Sequence, residues 1–183
     1  MIRQLCLAAA LAFCLPTAGV VQAGGTAGSR SGDHRDRTGG VGLSPILTGT
    51  VADQLRIDLG YCGRVTEVYA FDCSAYALRL AAEAVDGNPA YRNVEAALRQ
   101  ADRDIRLAVR ADVDRGRLPR LNGLQYYRPV RPDAVPTLRA LTARSLADAA
   151  AGVRRAPDQS GDPFARIAGS IAQAGQSLEA PAD

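Results

Sequence analysis

The chain has 183 residues, 47% hydrophobic, 22% charged and 5% aromatic, with a formal net charge of +3. That is one domain's worth of chain, with enough apolar material for a core. It contains no lysine, which excludes Schiff-base and lysine-nucleophile chemistry.

Residues 1–23 read as a secretory signal. Arg3 supplies the positive start, Leu5 to Leu15 the apolar segment, and Val21-Gln22-Ala23 the small-residue cleavage site. That apolar run is too short to span a bilayer and nothing similar follows, so no transmembrane helix is expected. Cys14, in Leu11-Ala12-Phe13-Cys14, resembles a lipoprotein acylation box only loosely, because bulky Phe13 stands where a small residue belongs. Cleavage after Ala23 is the expectation, and Cys6 leaves with the signal. Residues 24–42, rich in Gly, Ser and Arg, lack apolar periodicity and read as a disordered leader. The single histidine, His34, lies there between Asp33 and Asp36, where a solvated tether is a better reading than a metal site. Loss of Arg3 leaves a net charge of +2, so the molecule as a whole has no strong pull to nucleic acid or anionic lipid.

Leu43 to Tyr61 carries two signals. Leu55, Ile57, Leu59 and Tyr61 alternate as in a strand, whereas Thr50 could cap a short helix. A lone strand without a partner is unstable, so helix is favoured. Cys62 and Cys73 are the pair left after cleavage, and in an oxidising compartment an even pair is most simply a disulfide. Eleven residues of continuous helix would hold their Cα atoms about 16 Å apart, at a rise of about 1.5 Å per residue. A disulfide tolerates no more than about 7 Å, so the helix must break between them, near Gly63, with the preceding segment folded back.

A helix is expected over Glu67 to Val85, with Val65, Val68, Tyr69, Tyr76, Leu80 and Ala84 as its apolar face and Arg79 paired to Glu83. Gly87 can take the left-handed conformation that closes it; Asn88 caps the next helix and Pro89 fills its first turn. That second helix runs from Pro89 to Asp114. Its stripe is Ala90, Val94, Ala97, Leu98, Ala101, Ile105, Ala108 and Val109, small enough to suggest close helix approach. Gly116 to Pro132 reads as an irregular connection, broken by Pro119, Asn122-Gly123, Pro129 and Pro132. Arg117, Arg120, Arg128 and Arg131 lie there beside Tyr126 and Tyr127 with no acidic residue, a composition suited to phosphate, carboxylate, acidic sugar or a partner's rim. The alternative has the tyrosines, Leu118, Leu121 and Leu124 packing over the bundle while the arginines face water. A third helix follows Asp133 and ends near Gly152, with Val135, Leu138, Leu141, Ser145, Leu146, Ala149 and Val153 inward. A linker over residues 154–161 leads to a fourth, capped by Asp162-Pro163 and carrying Phe164, Ile167, Ile171 and Leu178, before a tail at 180–183.

No histidine lies in residues 43–179, which removes the usual base of Ser and Cys hydrolases. No P-loop, dinucleotide fingerprint, zincin helix or calcium loop is present, and no cofactor is expected. Asp72, Glu67, Glu83 and Glu95 leave room for carboxylate catalysis on envelope polymers, as a small hydrolase or lyase. The preferred expectation is an all-α, single-domain bundle of about four helices over residues 43–179, its first helix tied by Cys62–Cys73. Its expected place is the periplasm or the exterior. Its expected role is a non-catalytic binding or scaffolding module engaging an envelope protein or anionic glycan through the Arg117 to Arg131 loop.

Overall fold

The computed structural model of the protein describes residues 42–154 and 162–179. The signal, the leader up to residue 41 with His34, Cys14, linker residues 155–161 and the tail lie outside these. Among the described residues the chain forms α1 (Pro45–Cys62), α2 (Glu67–Ala84), α3 (Arg92–Ala111), β1 (Arg120–Asn122), β2 (Gln125–Tyr127), α4 (Val135–Arg154) and α5 (Ala165–Glu179). The fold is all-α with one small antiparallel hairpin. None of these helices is long and apolar enough to cross a membrane.

The ambiguous stretch is a full helix, which adds a fifth to the expected four. Its cap is Ser44, not Thr50: the Ser44 Oγ accepts from the Leu47 N–H at 3.3 Å, and Pro45 opens the first turn. The apparent alternation of Leu55, Ile57 and Leu59 arises because Leu55 and Leu59, one turn apart, are buried while Ile57 faces out, 55% exposed. α1 stops at Cys62, the chain turns at Gly63, and the Cys62–Cys73 disulfide joins two Cα atoms 5.5 Å apart. The fold-back demanded by the cysteine spacing is therefore present.

α2 keeps part of the expected face, with Val65 and Val68 buried, and departs from the rest. Phe71, Ala75, Leu78 and Ala82 form its deepest side, while Tyr69, Tyr76 and Leu80 are half-buried and Ala84 is exposed. Its neighbours explain this: α1, α3, α4 and β2 all pack on α2, so burial extends around most of its circumference and a single stripe is no guide. Gly87 takes φ 71° at the joint, and the Asn88 Oδ1 accepts from the Ala90 N–H at 3.1 Å, opening a 3-10 turn at Pro89–Tyr91 before α3. Val94, Leu98, Ala101, Ile105 and Val109 of α3 are buried as the stripe requires. α4 packs on both α3 and α5. A Cβ placed on Gly152 of α4 would stand 3.2 Å from the Ala97 Cβ, so these helices approach as closely as small residues permit. α5 begins after Asp162, whose Oδ1 accepts from the Phe164 N–H at 3.0 Å. It closes the bundle by packing against α1.

Candidate functional site

Between α3 and α4 the chain makes an excursion pinned at its base. Val113 and Val130 form an antiparallel bridge, with the Asp114 N–H donating to Pro129 O and the Arg131 N–H to Asp112 O, each at 2.9 Å. Two further bonds fix the returning strand to α2. The Val130 N–H donates to Val68 O, and the Arg128 N–H to Oδ2 of the buried Asp72, both at 2.9 Å. Between these feet stands the β1–β2 hairpin, in register Arg120↔Tyr127, Leu121↔Tyr126 and Asn122↔Gln125, where an irregular loop was expected. Gly123 supplies the left-handed φ of 58° at the turn. Strands of three residues are too short to show alternation, and the flanking Pro and Gly dominate the pattern.

Directly opposed residues in a hairpin share a face. One face of this hairpin carries Arg120 with Tyr127 and Asn122 with Gln125. Tyr127 is 4% exposed and sits among Cys62, Val65 and Cys73, so this face is turned to the bundle. The other face carries Leu121 and Tyr126, 54% and 58% exposed. Leu118 and Leu124 are also exposed, so the leucines of this segment do not pack over the bundle; only Tyr127 does.

The sequence singled out Arg117, Arg120, Tyr126, Tyr127, Arg128 and Arg131, and the fold distributes them among three settings. Arg131 pairs with Asp112 at 2.6 Å and Asp133 at 3.5 Å, and Arg117 with Asp114 at 3.8 Å, so these two brace the feet of the excursion. Their carboxylates lie just outside the acid-free window. Arg120 and Tyr127 belong to the inner face, where an Arg120 Nη1–H donates to Thr66 Oγ1 at 3.3 Å. Tyr126 and Arg128 face outward, and Arg128 makes no ion pair among the described residues.

The hairpin's inner face, α1 and α2 enclose a cleft of about 420 Å³. Tyr61, Tyr76 and Tyr127 supply aromatic walls, with the Tyr76 and Tyr127 rings edge to face at 6.2 Å. The disulfide contributes to the floor, and Leu80, Ile57 and Leu124 extend the apolar lining. Gln54, Asp58, Arg64, Asn122 and Gln125 supply polar groups. Asp58 accepts from the Gln54 Nε2 at 2.8 Å, while Arg64 makes no ion pair among the described residues. Behind the wall the Arg79 guanidinium stacks 4.9 Å from the Tyr76 ring centre and pairs with Glu83 at 2.7 Å, which fixes the ring. A smaller cleft of about 290 Å³ opens on the other side of Cys62, between α1 and α5, where Arg56, Ser170 and Gln173 contribute.

Tyr61, Tyr76 and Arg64 were not singled out as site residues. The signal for them was the cysteine pair itself: Tyr61 precedes Cys62 and Tyr76 follows Cys73 by three, so the bridge draws both rings together. The four acids considered for catalysis are each engaged elsewhere. Asp72 holds the Arg128 amide, Glu67 pairs with Arg139, Glu83 with Arg79 and Glu95 with Arg99. Among the described residues no three metal-ligating side chains come together. Comparison of the chain with protein-family models, with curated proteins and with solved structures gives no significant match.

Asp72 is the hinge between the core and this site. Replacing it with Ala leaves the Arg128 N–H without its acceptor, at a local cost of about 1–3 kcal/mol. The amides of Leu121 to Arg128 are then expected to exchange at least several-fold faster by hydrogen-exchange mass spectrometry, with α3 and α4 unchanged. Asp72→Asn keeps an acceptor oxygen and should retain most of the protection. Equal acceleration throughout the bundle would contradict a local anchoring role.

Proposed function

We propose that the protein is a non-catalytic binding module of an exported, envelope-type compartment, and that the cleft under the hairpin takes an acidic sugar unit of a glycan. The observation that carries this reading is the cleft's lining. Its volume of about 420 Å³ falls within the range of small-molecule sites, about 300–1,000 Å³. Three tyrosine rings offer flat apolar walls, the amides of Gln54, Asn122 and Gln125 offer hydroxyl-sized hydrogen bonds, and the Arg64 fork suits a carboxylate. Of the loop residues singled out, Tyr127 serves this site from the inner face, whereas Arg117 and Arg131 hold the hairpin in place. The export reading draws on residues 1–23 and on the buried Cys62–Cys73 bridge, a kind of link that is rare in reducing compartments.

An NMR titration with trigalacturonate, beside neutral maltotriose, tests the site. Saturable shifts centred on Tyr61, Arg64, Tyr76 and Tyr127 are expected with the acidic oligomer. Arg64→Ala should weaken it about tenfold or more, the loss of one charge-assisted pair. Shifts spread evenly over the arginines of α3, or none at the cleft, would remove the proposal.

A further inference from the structure

The smaller cleft beside α5 has no part in the acidic-sugar reading, yet its lining is that of a site. Four helices build its walls: α1, α2, α4 and α5. Leu59, Cys62, Ala70 and Leu146 are buried and make an apolar floor. Arg56 and Arg64 stand among the lining residues, and no carboxylate lines the cleft with them. Arg56 meets a carboxylate only at Asp53, 3.5 Å away and shared with Arg166 at 3.4 Å. Arg64 makes no ion pair, and the Gln173 side-chain amide no hydrogen bond, among the described residues. The hydroxyls differ. Ser74, Ser170 and Ser177 each donate to a backbone carbonyl, of Ala70, Ala52 and Gln173 respectively. The donors left to a ligand are therefore two guanidinium forks and one amide. Gly60 adds an independent observation. It lies in the last turn of α1, outside the left-handed region, and a Cβ there would meet nothing closer than Arg64 Nη1 at 3.9 Å. Neither backbone nor packing calls for glycine, which weakens a helix relative to alanine. Its missing side chain leaves the α1 wall of the cleft open.

We propose that this cleft binds a small organic anion with an aliphatic body, of the class of short-chain carboxylates. Arg56, Arg64 and the Gln173 amide hold the carboxylate, and the chain lies on Leu59, Ala70 and Leu146. The donors select an anion: guanidinium forks match carboxylate oxygens, and no acid in the lining opposes them. The floor selects the body. With its serine protons committed and no aromatic ring in its lining, the cleft matches a sugar poorly, whereas buried leucine and alanine suit methylenes. Its volume of about 290 Å³ sits at the small end of ligand sites, roughly 300–1,000 Å³, and fits a ligand of few atoms. Arg64 and Cys62 border both clefts, but Arg56, Gln173 and Leu146 border this one alone. The small-anion site is therefore separable from the acidic-sugar site under the hairpin.

The test is NMR titration of the full chain with hexanoate, beside acetate and neutral 1-hexanol. Saturable shifts centred on Gly60, Gly63, Leu146 and Gln173 are expected with hexanoate, with Tyr76 and Tyr127 unmoved. Hexanoate should bind about tenfold or more tighter than acetate, the effect of about two buried methylenes. It should also bind tighter than hexanol, which lacks the charge. Arg56→Ala should weaken hexanoate about tenfold or more, while any trigalacturonate shifts at Tyr76 and Tyr127 stay as they are. Gly60→Leu, whose side chain enters the open cleft, should abolish hexanoate binding with far-UV circular dichroism unchanged. Arg56 is exposed, so its variant decides even if Gly60→Leu disturbs the helix. An unchanged hexanoate affinity in Arg56→Ala would overturn the proposal. Hexanoate shifts at Tyr76 and Tyr127 in place of Gln173 would do the same, and give the anion to the hairpin cleft. Equal binding of hexanol removes the role of the arginines, and equal binding of acetate that of the floor; either result overturns the site. So does the absence of saturable shifts in the native chain.

Discussion

Replacing Tyr91 with Ala is expected to cost about 4 kcal/mol of stability, more than any other single truncation considered for this chain. Tyr91 is fully buried at the start of α3 and touches three parts of the fold at once. Its ring meets Phe164 edge to face at 5.3 Å, just ahead of α5. Its hydroxyl donates to Ser44 O at 2.7 Å, accepts from the Ser44 N–H at 3.1 Å and lies 2.7 Å from Thr48 Oγ1. Truncation therefore opens a ring-sized cavity and strips the cap of α1 of its partners. Tyr91→Phe separates the two effects. It keeps the ring, loses the polar knot, and should cost about 1–2 kcal/mol. Urea unfolding followed by circular dichroism checks both values. A loss below about 1 kcal/mol for Tyr91→Ala would mean that the site collapses around the gap, contrary to the tight packing described.

Removal of the disulfide ranks second. The bridge closes a loop of sequence separation 11, for which loop-closure entropy predicts about 3 kcal/mol of stabilisation, acting on the unfolded chain. Cys62→Ala/Cys73→Ala should lower the urea midpoint accordingly, and a reductant should shift the native chain towards the variant while leaving the variant unchanged. Cys62 contributes to both clefts, so the variant should also weaken trigalacturonate binding at Tyr61 and Tyr76. If the reductant leaves the native midpoint unmoved, the bridge is not a stabilising element.

Local chemistry made part of this fold legible in the sequence. Asp86-Gly87-Asn88-Pro89 and Asp162-Pro163 marked their boundaries because caps and first-turn prolines act within a few residues. The cysteine spacing demanded a break at Gly63 because a rigid rise of 1.5 Å per residue, roughly, cannot bring those atoms together. What escaped detection depends on more distant neighbours. The buried side of α2 has no polar complement to reveal it, since helices and the hairpin cover most of its surface. The hairpin is too short to alternate. Arg117 and Arg131 looked free within their window, but Asp114 and Asp133 stand just beyond its two ends, and Asp112 meets Arg131 only after the chain turns back. The cleft itself is a product of the disulfide, visible only once Tyr61 and Tyr76 are considered as neighbours of bridged cysteines.

The closure of the bundle by α1 against α5 carries a consequence for the order of assembly. The Ser170 Oγ–H donates to Ala52 O at 2.9 Å, a contact between residues 118 apart in sequence. Synthesis proceeds from the N-terminus, so α1 emerges first and its partner surface on α5 last. During that interval the side of α1 that will meet α5 has nothing to cover it. The Cys62–Cys73 bridge lies wholly within the early part of the chain and can form before α5 exists, leaving α1 parked against α2. Docking of α5 then completes a surface already in position, and the long-range step is reduced to the arrival of one helix.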